Sequence, residues 1–199
     1  MPLRYLALGD SYTIGEDVPA SARWPVQLVD QLRRRGIAID DPQIVAVTGW
    51  TTDELSAGMD QAGLAPPYDL VTLLIGVNNQ YRGRSAEDYR REFRGLLQRA
   101  LVLAGDRSGR VVVVSIPDWG ITPFGQASGR NLAQIARELD TFNAIGRDEA
   151  AQAGAGFVDI TGISRAQPGL VALDGLHPSA AQYTLWTAAI EPAVHAALR

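Results

Sequence analysis

The chain has no cysteine and no lysine, and only two histidines, His177 and His195. Each shortage removes chemistry. Without cysteine there is neither a thiolate nucleophile nor a thiolate metal site. All 18 basic residues are arginine, so a Schiff-base lysine, a Ser-Lys dyad and a P-loop phosphate site are excluded. An excess of positive charge is also missing: the formal net charge is -4, which disfavours nucleic acid or an anionic membrane surface as partner. No apolar run approaches the ~18 residues of a membrane span. The opening Met1–Gly9 is too short for a signal-peptide apolar region and reads directly as a strand. These features predict a soluble, cytoplasmic protein without membrane insertion.

What is present suits one compact fold. The 199 residues, 46% hydrophobic and 20% charged, are enough to bury one sizeable core and too few for two independent domains, so a single domain over residues 1–199 is expected. Continuous apolar, β-branched runs at Leu3–Leu8, Gln43–Val47, Leu70–Ile75 and Val111–Ile116, with a weaker one at Gly156–Ile160, have the character of parallel strands buried on both faces. Helical stripes alternate with them. Trp24, Leu28 and Leu32 form one, ending at Gly36. Tyr89, Phe93, Leu96, Leu97, Ala100 and Leu101 form a second, preceded by a Ser85/Asp88 capping box. Leu132, Ile135, Ala136, Leu139 and Phe142 form a third. A last helix is expected from Pro178 or Ser179 through Tyr183, Trp186 and Ile190, kinked or ended by Pro192, and Pro117–Gly129 reads as one long loop. The alternation predicts a three-layer α/β/α sandwich around a parallel five-stranded sheet, with its crevice at the carboxyl ends of the strands.

Candidate chemistry clusters at those strand ends. Gly9-Asp10-Ser11 follows the first strand and would expose a hydroxyl at the sheet edge, although alone it reads more readily as a cap of the following turn. It fits neither the G-x-S-x-G elbow nor the G-x-G-x-x-G fingerprint. Asp174-Gly175-Leu176-His177 puts a carboxylate three residues before an imidazole, a spacing that can fix the ring tautomer and leave Nε2 free as a base. His195 sits among small residues of the terminal helix and reads as a surface or packing residue. Gly49 and Asn78, each following a strand, are turn or cap residues singly and oxyanion donors if they share the crevice.

With these four blocks in this order, from Gly9 to Pro178, the sequence resembles the SGNH (GDSL) hydrolase family. The third block reads Gly76-Val77-Asn78-Asn79 where the family usually carries G-x-N-D. The resemblance implies a flavodoxin-like strand order of 2-1-3-4-5 and hydrolysis of esters or thioesters without metal or other cofactor. It makes Ser11 the nucleophile, His177 the base and Asp174 its orienting partner. The oxyanion hole would be formed by the Ser11 and Gly49 N–H groups and the Asn78 amide. Tyr12, Trp50, Tyr81, Trp119 and Phe124 are candidate pocket walls for a small-molecule ester, small acyl or acetyl esters being favoured. An acyltransferase with the same residues and a non-catalytic carbohydrate- or lipid-binding module are the rival readings.

Overall fold

A computed structural model describes residues 1–198. In chain order the elements are β1 (Tyr5–Gly9), α1 (Ser11–Ile14), α2 (Trp24–Arg34), β2 (Gln43–Ala46), α3 (Thr52–Gln61), β3 (Leu70–Leu74), α4 (Val77–Tyr81), α5 (Ala86–Leu103), β4 (Val111–Val114), α6 (Pro123–Ala127), α7 (Leu132–Ala153), β5 (Gly156–Val158), α8 (Thr161–Ala166) and α9 (Ala180–Ala197). The strands form one parallel sheet in the order β2-β1-β3-β4-β5, the order that the family resemblance implied.

Each strand begins within about two residues of its apolar run. β1, β3 and β4 are buried at every position, which is why their sequences show no alternation. Helices cover both faces: α2 packs on α9, while α5 packs on α3 and α7. The first layer seats Trp24, Leu28 and Leu32 with Trp186 and Ile190, all fully buried. In the second, the Tyr89 ring stacks on Phe142 with centroids 4.3 Å apart and planes 7° from parallel.

One expectation is narrowed and one is corrected. Pro192 does not end α9, which runs on to Ala197 with the proline inside it. One lost backbone bond is outweighed there because Ile190 and Val194, flanking Pro192, are both completely buried. Pro117–Gly129 is not a long irregular loop but a 3₁₀ turn at Trp119–Ile121 followed by α6. Asp118 caps the turn through the Gly120 N–H at 2.9 Å and pairs with Arg165 at 2.9 Å, and Thr122 caps α6 through the Gly125 N–H at 3.1 Å. The helix α3 bears few apolar residues and starts from a Thr51/Glu54 capping box.

Candidate active site

The first site segment is built by a glycine and a cap. A β-carbon on Gly9 would lie 2.2 Å from Thr13 Oγ1 and 2.6 Å from the Leu74 carbonyl, so the strand can turn this sharply only with glycine there. Asp10 then caps α1: its Oδ1 accepts the Tyr12 N–H at 3.0 Å, and its carbonyl accepts those of Thr13 and Ile14 at 3.0 and 2.9 Å. Ser11 becomes the first residue of α1, lining a cleft at the carboxyl edge of the sheet and only 4% exposed. Its N–H, in the first helical turn, has no partner within the helix. The Asp10 carboxyl is completely buried, its Oδ2 has no partner, and burial pushes it up to about 7.

The second segment is the turn after β2. Trp50 donates to the Val47 carbonyl at 3.2 Å, and Gly49, third in that turn, has φ +87°, a conformation that favours glycine. Two side chains from the segment that follows β3 hold the turn. Asn78 Nδ2 donates to the Trp50 carbonyl at 2.9 Å. Arg82 Nη2 donates to the Gly49 carbonyl at 2.6 Å, while its Nη1 meets Glu54 Oε1 at 3.1 Å. Both Gly49 and Asn78 line the same cleft as Ser11. Asn79 is fully buried one residue on; its Oδ1 accepts the Thr52 N–H at 3.1 Å and its Nδ2 donates to Thr52 Oγ1 at 2.6 Å. The Thr52 hydroxyl donates its one hydrogen to the Glu92 carboxylate, so the Asn79 amide can donate to Oγ1 where a carboxylate has no hydrogen to give.

The third segment is the loop before α9. Asp174 Oδ1 accepts the N–H groups of Leu176 and His177 at 2.8 and 2.9 Å, and Oδ2 meets His177 Nδ1 at 2.5 Å. Partial burial acts to raise the Asp174 carboxyl, but the hydrogen bonds from the His177 ring and from the two backbone N–H groups outweigh it and hold the group below its usual range. The His177 ring lies edge-on to Tyr12, centroids 5.8 Å apart, and lines the cleft. Among the described residues no hydrogen bond joins His177 to Ser11, a contact that in empty sites is often long.

The remaining expected residues divide. Tyr12, Tyr81, Trp119 and Phe124 line the cleft. Trp50 does not: its ring lies over Gly58 of α3, where even a β-carbon would collide with it at 2.1 Å. Trp119 is fixed by an Nε1 hydrogen bond to Gln80 Oε1 at 2.8 Å, Tyr81 packs on it at 5.3 Å, and the Arg130 guanidinium lies 4.0 Å from the Tyr81 ring and 5.6 Å from that of Trp119. Val77, Leu176 and Thr48 complete a cleft of about 190 Å³. Sequence reasoning missed these three, whose only signal was adjacency to Asn78, His177 and Gly49. His195 stands elsewhere, 3.7 Å from the buried Glu191 on α9. Among the described residues no cluster of three or more His, Asp or Glu side chains is placed to hold a metal ion, and no helix is long and apolar enough to cross a membrane.

Comparison with known proteins identifies the family and the fold. The family model described as GDSL-like Lipase/Acylhydrolase family matches residues 7–185. Among solved structures, TesA superposes with a TM-score of 0.76 at 18% identity, covering 98% of this chain and 99% of that one. The lipase/acylhydrolase from Enterococcus faecalis gives 0.76 at 20% identity, with 99% and 97% covered. Axe2, an acetylxylan esterase from Geobacillus stearothermophilus, gives 0.72 at 19% identity, with 98% and 96% covered. At these identities the likeness shows a shared fold. Among curated proteins no sequence match is found.

Proposed function

The chain belongs to the GDSL-like lipase/acylhydrolase family of carboxylic ester hydrolases, and from that membership we propose that it cleaves small acyl esters through an acyl-enzyme on Ser11. The observation that carries the proposal is one cleft lined by Ser11, Gly49, Asn78 and His177, with Asp174 bonded to the far nitrogen of His177. Ser11 Oγ attacks the ester carbonyl carbon while its proton passes to His177 Nε2. The carbonyl oxygen, now negative, is held by the N–H groups of Ser11 and Gly49 and by Asn78 Nδ2. Collapse of this tetrahedral species breaks the bond to the alcohol, which leaves with the proton from His177. Water then attacks the acyl-serine, gives its proton to His177, and a second collapse releases the acid and returns the proton to Ser11 Oγ. Asp174 remains a carboxylate throughout and stabilises the imidazolium.

The size and walls of the cleft favour a short acyl group. At about 190 Å³ it is smaller than the ~300–1,000 Å³ pockets that enclose drug-sized ligands, and Val77, Trp119 and Leu176 make its lining mostly apolar. Fluorophosphonate labelling at pH 8 tests the nucleophile: wild type should label and Ser11→Ala should not. A wild type that fails to label would overturn the serine mechanism. p-Nitrophenyl acetate and butyrate should be turned over faster than the octanoate ester.

A further inference from the structure

The segment that follows the Ser11 helix reaches both other site loops. Gly15 and Glu16 donate their N–H groups to the Ser11 carbonyl, each at 3.0 Å, and Val18 donates to the Gly15 carbonyl at 3.3 Å. That closes a turn whose third residue is Asp17, with φ +59°. Glycine suits this position best, and an aspartate or asparagine occupies it at some cost. Among the described residues only Asp17 and Asp106 are non-glycine residues with positive φ. Strain kept beside a functional site points to a side chain that is needed.

The Asp17 side chain has a definite partner. Its Oδ2 accepts the backbone N–H of Asp174 at 3.1 Å, 157 residues away in sequence. The neighbouring Glu16 carboxylate accepts a hydrogen bond from the Thr48 hydroxyl, just before Gly49. The other hydrogen bonds of Asp174, to Leu176 and His177, all lie within its own loop. They orient the His177 ring relative to Asp174 but do not place the pair relative to Ser11. The Phe124 N–H ties that loop to α6 through the Gly175 carbonyl at 3.0 Å, again not to the Ser11 segment. Among the described residues the Asp17 contact is the hydrogen bond that joins the two segments, beside the ring contacts of Tyr12 with His177 and Trp186.

We infer that Asp17 is a positioning residue, which sets the Asp174–His177 loop in register with Ser11 while Glu16 does the same for the Thr48–Gly49 turn. The inference rests on the proposed serine mechanism. An exposed hydrogen bond adds little to stability, whereas misplacing a reacting group by a fraction of its working distance slows turnover.

Asp17→Gly separates the two effects, because glycine relieves the strain and deletes the contact. Its melting temperature should be unchanged or raised by up to about 3 °C. Its kcat on p-nitrophenyl acetate should fall about tenfold with KM little changed. Asp17→Asn tolerates the same φ and keeps an acceptor oxygen, so it should recover kcat to within about twofold of wild type. Asp17→Gly with wild-type kcat would overturn the inference. So would an asparagine variant as slow as the glycine one, or a glycine variant losing melting temperature and kcat together. Failure of the serine mechanism itself shows separately, as absent fluorophosphonate labelling of the wild type.

Discussion

Replacing Asp10 by asparagine should remove a pH dependence of stability that lies just below neutrality. The carboxyl is fully buried with one oxygen unpartnered, and burial outweighs the hydrogen bonds it accepts, raising it from 3.8 to about 7. In the unfolded chain it loses its proton near 3.8, and in the folded chain only near 7. Stability from this group is therefore highest below the unfolded value and is lost as the pH climbs through the folded one. Over that window the unfolded state binds fewer protons than the native state, so the slope is negative. The full loss is about 4 kcal/mol, a large share of the ~5–15 kcal/mol that holds a typical domain together. Asparagine carries no charge and retains an oxygen for the Tyr12 N–H. Urea denaturation of both proteins between pH 4 and pH 8 should show Asp10→Asn gaining on wild type by up to about 4 kcal/mol across that range. Other carboxylates titrate in both proteins, so the difference isolates Asp10. Parallel stability curves from pH 4 to pH 8 would refute the argument, since they require Asp10 to ionise alike in both states.

Further predictions concern the proposed chemistry. Asn78→Ala should lower kcat by ~10²- to 10³-fold while leaving the far-UV circular dichroism unchanged; near-wild-type turnover would remove Asn78 from the mechanism. Arg82→Ala should lower kcat about tenfold with little change in KM, because the Gly49 carbonyl loses its 2.6 Å partner; steady-state kinetics on a soluble ester measure this. Asp174→Ala should lower kcat by roughly 10³- to 10⁴-fold, and a value within about tenfold of wild type would place the orienting role elsewhere. Trp119→Ala, at a site 2% exposed, should cost about 3–5 kcal/mol in denaturant titrations and raise the octanoate-to-acetate rate ratio. An unchanged ratio would count against Trp119 limiting the acyl group.

Fold and site were legible in the sequence to different depths, for physical reasons. The strands stood out because burial on both faces leaves uninterrupted apolar runs, and the long helices because one stripe faces the sheet. Helix α3 offered only Leu55 and Met59 as buried apolar residues, too few to mark a period. The ordering of Pro117–Gly129 draws on the pairing of Asp118 with Arg165, 47 residues onward, which local turn chemistry does not reveal. Ser11, Gly49, Asn78 and His177 could be placed together because parallel topology sends every strand end to one edge. Side-chain direction is not readable in the same way, so the sequence groups Trp50 with aromatics from which its ring turns away toward Gly58. Asp17 and Arg82 carry no local signature at all, since their partners are 157 and 33 residues distant.

The Ser11 segment shows why such distant contacts belong to the site. Helix α1 has four residues, far below the length at which a helix is stable alone, so the position of Ser11 depends on what holds each end. At the front are Gly9, with no room for a β-carbon, and Asp10, whose capping bond comes with a buried carboxyl. At the back are Gly15 and the strained Asp17. Both ends therefore carry a locally unfavourable residue, which the fold tolerates because the sheet and its two helical layers supply the stability. Relief at either residue should stabilise the protein, and at Asp17 it should also slow the enzyme. A core substitution such as Leu97→Ala, on the sheet-facing side of α5, behaves oppositely: it destabilises the fold, yet leaves the kcat of the molecules that remain folded close to that of wild type. That opposition distinguishes residues selected to place Ser11 from residues selected to hold the sheet.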